Sequence, residues 1–348
     1  MPNRAPAILA LIALAVAALA LASCARPAGG SGEVLNLYTA RHYDADLKLY
    51  AAFEKKTGVR VRWLEMAPDQ LVERMKAEGS ASPADVILMA DAGALWRAQT
   101  AGLFQPVSTP TLQSRIPPAL RDPTGLWWGF SRRARVIAYD RARVDPRDVA
   151  TYEALAQPRF RKAVCARSSD NVYNLSLMAS FIEHWGRERA LQWAKGVVAN
   201  FARPPQGGDI DEIRAVGAGA CQVALTNTYY YLRVAASQDP GDKATAARVA
   251  LAFPGQSGFG THVNISGGGV AAHAQHKAAA IDFLDFLASQ EAQDIFAGAN
   301  HEFPIVAGVT PPPDVAAIAQ FKADPMAVAV YGQRQAEAQS VYNEAGWR

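Results

Sequence analysis

The sequence predicts an α/β fold with a largely parallel sheet, and three observations carry that expectation. Strand and helix patterns alternate from Val34 to Ala101, a βαβαβ order that belongs to parallel sheets covered by helices. Asp85–Met89 is short and almost wholly apolar, as a central strand buried on both faces must be. A second α/β pattern begins near Ala163, and a chain of 348 residues, half of them apolar, is long enough for two cores.

Taken in order, Val34–Ala40 reads as a strand and Asp44–Thr57 as a helix, ended by Gly58. Val59–Leu64 is the next strand and Asp69–Glu78 the next helix; after Asp85–Met89 comes a helix over Ala92–Ala101 that stops at Gly102. Val136–Tyr139 reads as an extended crossing segment. The second pattern runs strand Ala163–Ala166, helices Asn174–Trp185, Glu188–Asn200 and Asp211–Ala218, then strands Gln222–Thr226 and Val249–Phe253. Val263–Ala272 is extended around Gly267–Gly269, and helices follow over Lys277–Ala288 and Ser289–Ala297. The three glycines lack the strand-then-helix context of a dinucleotide loop; a hinge or a tight strand crossing is the expectation.

The N-terminus addresses the chain. One charged residue, Arg4, precedes the apolar run Ala7–Ala22, and Leu21-Ala22-Ser23-Cys24 closes it with small residues before a cysteine. That is a secretory signal, and its ending matches a lipobox in which Cys24 becomes the lipidated first residue; an ordinary signal with an incidental cysteine is the alternative. The apolar run is shorter than the roughly 20 residues a spanning helix needs. The expectation is a lipoprotein signal peptide over residues 1–23 and a tether, rich in Gly, Ser and Pro, over 24–33. The expected location is the periplasm or cell envelope, with the membrane reached through the lipid at Cys24. The net charge of +3 is too balanced to suggest a nucleic-acid partner, and a monomer is expected.

Beyond Cys24 the chain has two cysteines, Cys165 and Cys221. In an oxidising compartment they are a natural pair. If their strands are neighbours, a disulfide would brace the floor beneath Tyr173 and Tyr229, each eight residues further on; two buried thiols are the alternative.

Tyr229, Tyr230 and Tyr231 follow the strand Gln222–Thr226 and the turn-like Asn227-Thr228, and three adjacent rings cannot all enter one core. Phenolate is a hard oxygen donor suited to a hard cation such as Fe(III). His42-Tyr43 after the first strand and Tyr173 at a helix start add donors. If these converge, the chain holds a four-phenolate site with a histidine beside it. Enzyme motifs are missing: there is no nucleophile elbow, no paired-histidine zinc motif, no CxxC and no P-loop. The basic run Arg132–Arg135 is either a solvated face or a balance for a negative site.

Leu37-Tyr38-Thr39-Ala40-Arg41-His42-Tyr43-Asp44 resembles the opening of the ferric-iron-binding proteins of ABC transporters. Ser82–Val86, Ala163–Ser169, Asn200–Gly207 and Thr226–Tyr230 resemble later segments of the same family, most closely its cyanobacterial Fut type. The resemblance spans the chain from about Val34 onward. It implies a two-lobed periplasmic-binding-protein fold of type II, two hinge strands, and Fe(III) in the interlobe cleft. It places the metal ligands at His42, Tyr43, Tyr173, Tyr229 and Tyr230, with Tyr231 packed inward. Arg41 and Arg203 are expected behind them to offset negative charge. It also implies an inner-membrane ABC permease as partner and delivery rather than catalysis. The lobes are expected at 34–135 with 266–310, and at 136–265 with 311–348. Two other classes stand beside this one: a binding protein of the same fold for an organic phosphate or a polyamine, and an iron-tyrosinate redox enzyme.

Overall fold

The computed structural model describes residues 33–41 and 43–348. The signal peptide, Cys24, most of the tether and His42 lie outside the described residues. The first six elements are β1 (Val34–Thr39), α1 (Asp46–Thr57), β2 (Arg60–Glu65), α2 (Pro68–Glu78), β3 (Val86–Met89) and α3 (Ala92–Thr100). β1 pairs in parallel with both β2 and β3, as the alternating pattern required. Helix ends follow local chemistry. Gly58, at φ 76°, closes α1 in the left-handed conformation and donates to the Glu54 carbonyl. Pro68 opens α2 where its missing N–H is no loss. Asp91 caps α3 by accepting from the Gly93 N–H.

The chain continues through α4 (Pro110–Arg115), β4 (Trp128–Asp140), β5 (Val164–Cys165), α5 (Val172–Trp185), α6 (Arg187–Ala199), α7 (Asp209–Gly217), β6 (Val223–Asn227), α8 (Thr228–Ala236), α9 (Pro240–Arg248) and β7 (Val249–Ala252). It ends with β8 (Val263–Val270), α10 (Lys277–Leu287), α11 (Gln290–Asn300), β9 (Phe303–Pro304), α12 (Pro313–Ala316), α13 (Ala329–Gln333) and α14 (Gln335–Ala345). The strand order is β2-β1-β3-β8-β4-β6-β5, with β7 and β9 also on β4.

β4 and β8 join the two halves. β4 pairs with β8 from Trp128 to Ala134, then with β6 and β7 from Arg135 onward. β8 pairs with β4 and, over Gly267–Val270, with β3. The glycine triplet marks a tight crossing. A Cβ on Gly268 would stand 2.3 Å from the Ile87 carbonyl oxygen, and one on Gly269 2.1 Å from that of Leu126. No side chain fits there.

Three differences from the sequence reading matter. β4 begins at Trp128, not Val136, so Arg132–Arg135 lie in a strand and alternate: Arg133 and Arg135 are buried, Arg132 is not fully so. The tyrosine run opens a helix, α8, rather than following a turn. The C-terminal segment forms helices α12–α14, which contiguous apolar periodicity did not announce. The cysteines do pair. Cys165 ends β5, β5 runs parallel to β6, and Cys221 lies just ahead of β6 in a disulfide with a Cα–Cα distance of 5.8 Å. Among the described residues no helix is long and apolar enough to cross a membrane.

Candidate metal centre

The phenols reach one point from three segments. After β1, the Ala40 N–H donates to the Leu88 carbonyl and the Arg41 N–H to Thr39 Oγ1, which bends the chain off the sheet. Tyr43 then caps the approach to α1, its carbonyl accepting from Asp46 N–H at 2.8 Å. Tyr173 is the second residue of α5, where Asn171 Oδ1 accepts its N–H. Tyr229 and Tyr230 occupy the first turn of α8. Both helices thus begin at the site, and helix N-termini favour negative charge.

The hydroxyls of Tyr43 and Tyr229 are 3.0 Å apart, and Tyr229 donates to Tyr173 at 3.3 Å. The Tyr230 ring packs on that of Tyr229 with centres 4.1 Å apart. Oxygens at about 2.0–2.1 Å from a small cation, at octahedral angles, stand about 2.9 Å from one another; the phenol spacing is of that order. All four side chains are buried. Tyr231 turns away, its hydroxyl directed at the Ala246 and Val249 carbonyls.

Guanidiniums enclose the rings. The Arg233 guanidinium carbon lies 4.8 Å from the centre of the Tyr43 ring, 5.1 Å from Tyr229 and 5.7 Å from Tyr230. Arg133, Arg167 and Arg135 stand 5.3, 5.6 and 6.0 Å from the Tyr173 ring, and Arg41 stands 4.9 Å from that of Tyr43. Four carboxylates hold these cations: Asp46 and Glu302 on Arg41, Asp91 near Arg133, and Asp209 on Arg135 and Arg167. One positive charge remains in excess.

Burial pushes the Tyr43 and Tyr229 phenols well above their ordinary range, and the neighbouring phenols push further, while Arg133 opposes. Tyr230 rises for the same first reason, with Tyr173 and Asp209 adding to it. Burial would also raise Glu302, but Arg41, Arg133, Ser131 and Asn300 more than offset it, and its carboxyl falls below the usual value. A site of this kind is neutral at the phenols until a cation replaces their protons.

Sequence reasoning named Tyr43, Tyr173, Tyr229 and Tyr230, and the structure brings these together. His42 lies outside the described residues. Arg41 is beside Tyr43 as expected. Arg203 is not against the rings: it pairs with Glu212 at 3.1 Å, because it lies on the loop leading to α7 rather than on an element ending at the site. The Arg132–Arg135 run was left open as a balance for a negative site, and its Arg133 and Arg135 stand beside Tyr173. Arg167 and Arg233 were missed as neighbours of the phenols; the helical spacing from Tyr229 and Tyr230 would have found Arg233. A further group, Cys165, Glu212 and Cys221, is close enough to chelate, but the disulfide leaves no thiolate there.

The site opens outward. A cavity of about 150 Å³ lies over Tyr173 and Tyr230, lined also by Asp91 and Arg167. It shares Pro68, Arg167, Asn171 and Val172 with an outer cavity of about 600 Å³.

Two α/β halves joined by β4 and β8, with a polar site where they meet, define the two-lobed type II fold of periplasmic binding proteins. The chain belongs to the bacterial extracellular solute-binding proteins, whose family model matches residues 48–323. Iron uptake protein A2 of Synechocystis sp. (strain ATCC 27184 / PCC 6803 / Kazusa) is 46% identical over 336 residues, covering 96% of each chain. The structure of a Trichodesmium protein (IdiA, FutA) in complex with iron and citrate ligands has 50% identity and a TM-score of 0.87, over 90% of this chain and 100% of that one. The ferric binding protein from Campylobacter jejuni matches with 38% identity and a TM-score of 0.87, again over 90% and 100%.

Proposed function

We propose that this chain binds Fe(III) outside the cytoplasm and delivers it to an inner-membrane ABC permease. The ligands are the phenolates of Tyr43, Tyr173, Tyr229 and Tyr230, with His42 as a further donor. The carrying observation is the chain of buried phenol oxygens at 3.0 and 3.3 Å. The relatives named for iron uptake and ferric binding support the same cargo. Four phenolates on a trivalent ion leave one negative charge, and the surplus guanidinium among the five arginines offsets it. With most of the metal's positions taken by protein donors, the reading is capture and delivery rather than catalysis.

The lobes of this reading are 34–135 with 266–310 and 136–265 with 311–348. The change of partner along β4 between Ala134 and Arg135 supports the first boundary. Cys24 carries the lipid that keeps the monomeric protein at the membrane. The deciding experiment is a visible spectrum of the purified protein with and without Fe(III) supplied as a weak chelate. A tyrosinate-to-iron absorption band that appears in wild type is the expected result; a colourless protein that retains no iron after desalting overturns it.

A further inference from the structure

The last residues of the chain reach back to the candidate site. α14 lies across α5 and α6 and ends at Gly346, whose φ of 78° is the left-handed conformation that glycine accepts freely. That turn sends Trp347, the penultimate residue, into the interior, where it is fully buried. Its ring packs edge-on against Phe201 and Tyr342, with centres 4.9 Å apart in each case. Its indole N–H donates to the Arg167 carbonyl at 3.1 Å. The Tyr342 hydroxyl donates to the Asn174 carbonyl at 3.0 Å. Asn174 in turn donates to the carbonyls of Arg167 and Ser168 and accepts from Arg135. Trp347 and Tyr342 therefore hold the backbone on both sides of Tyr173.

The other end of the same segment is pinned to α3, on the opposite side of the cleft. Gly332 sits so close to Trp96 that a Cβ would be 2.1 Å from that side chain. Gln335 accepts from Arg97. The Tyr331 hydroxyl donates to the Val263 carbonyl at the start of β8. One continuous stretch thus touches α3, the crossing strand β8, and the loop and helix that present Arg167 and Tyr173.

We propose that residues 329–348 are a clamp that sets Tyr173 and Arg167 in the binding geometry, with Trp347 as the positioning residue. The proposal rests on the Fe(III) reading above. Trp347 touches neither the phenol oxygens nor the cavity; it acts through the Arg167 carbonyl.

The test is a double-mutant cycle read by Fe(III) retention in competition with citrate. Trp347→Phe keeps an aromatic ring and removes the indole donor. Loss of one such hydrogen bond corresponds to about a 3- to 10-fold change, and that weakening is expected in wild-type background, with a shift in the tyrosinate-to-iron band. In a Tyr173→Phe background the same change is expected to have little further effect, because the residue being positioned is gone. An equal loss in both backgrounds, or no loss in either, overturns the clamp. Should Trp347→Phe fail to fold, Tyr342→Phe, which removes only the donor to Asn174, takes its place in the cycle. Weakening confined to the wild-type background is again the expected result, and equal loss or no loss in the two backgrounds again overturns the clamp. Failure of the Fe(III) reading is separate: wild type itself would then show no band.

Discussion

Tyr229 is the hub of the proposed metal centre, since its hydroxyl meets both Tyr43 and Tyr173. Tyr229→Phe keeps the ring and removes the oxygen. Loss of the tyrosinate-to-iron colour and at least about a 100-fold weaker iron retention are expected, the loss of one strong charged ligand being worth about 3 kcal/mol or more; Tyr230→Phe should behave alike. Absorbance titration with Fe(III) checks both, and unchanged titrations would remove them from the ligand set. Glu302 makes a prediction of a different kind. It is fully buried and accepts from Arg41, Ser131, Ser266 and Asn300. Its carboxyl titrates below the usual value in the folded protein, so its stabilising contribution is present above the unfolded pKa and is lost as pH falls through the folded one. Glu302→Gln should therefore destabilise the protein by about 2–3 kcal/mol at neutral pH. The gap should narrow as pH drops below about 4.3, where the unfolded carboxyl protonates. Denaturant melts at several pH values measure it; a gap that widens in acid would contradict the pairing.

At the scale of elements, the site depends on where strands stop and helices start. Tyr173 and Tyr229 are the second residues of α5 and α8, so these phenols are presented by first turns rather than by loops. Beneath them the disulfide ties β5 to the start of β6, and these are the strands that lead to the two tyrosine helices. Thiol titration of the unfolded, unreduced protein should find no free thiol at Cys165 or Cys221. For a sequence separation of 56 residues, chain-entropy arguments put the stabilisation at about 4 kcal/mol, so the reduced protein should melt at clearly lower denaturant. β8 offers a sharper test of its tight crossing. Gly268→Ala would force a methyl to within 2.3 Å of the Ile87 carbonyl, and a loss of about 2 kcal/mol or more is expected from equilibrium unfolding. A neutral substitution would mean the sheet can open there.

For the whole molecule, closing on the cargo is the expectation of the two-lobed fold. Contacts cross between the halves at Tyr43–Tyr229, at Ser176–Asp91 and at Arg233–Asn300. A ligand favours one arrangement only through contacts that the other lacks, and on the Fe(III) reading proposed above Tyr43 would be such a contact. Small-angle scattering should show a smaller radius of gyration with Fe(III). Tyr43→Phe should retain part of the iron binding on the three other tyrosines while compacting less. A wild type whose radius is unchanged by iron, together with a Tyr43→Phe protein that binds normally, would rule out a two-lobed clamp.

The sequence by itself determined the βαβαβ half, because alternating apolar runs and terminal glycines are local signals. It also singled out the tyrosines that the fold brings together, since three adjacent rings cannot all enter one core. The pairing of Cys165 with Cys221 was one of two readings it left open, and strand adjacency decided it. Only tertiary structure settled which cations stand at the phenols. Arg203 was a reasonable candidate by sequence position, yet it belongs to Glu212, while Arg133 and Arg135 face Tyr173 because β4 starts eight residues earlier than its apolar core suggested. The C-terminal helices were illegible for a related reason. Their buried residues, Tyr331, Tyr342 and Trp347 among them, pack against α3, α5 and α6 from distant parts of the chain, and no local periodicity encodes a surface that exists only once those helices have come together.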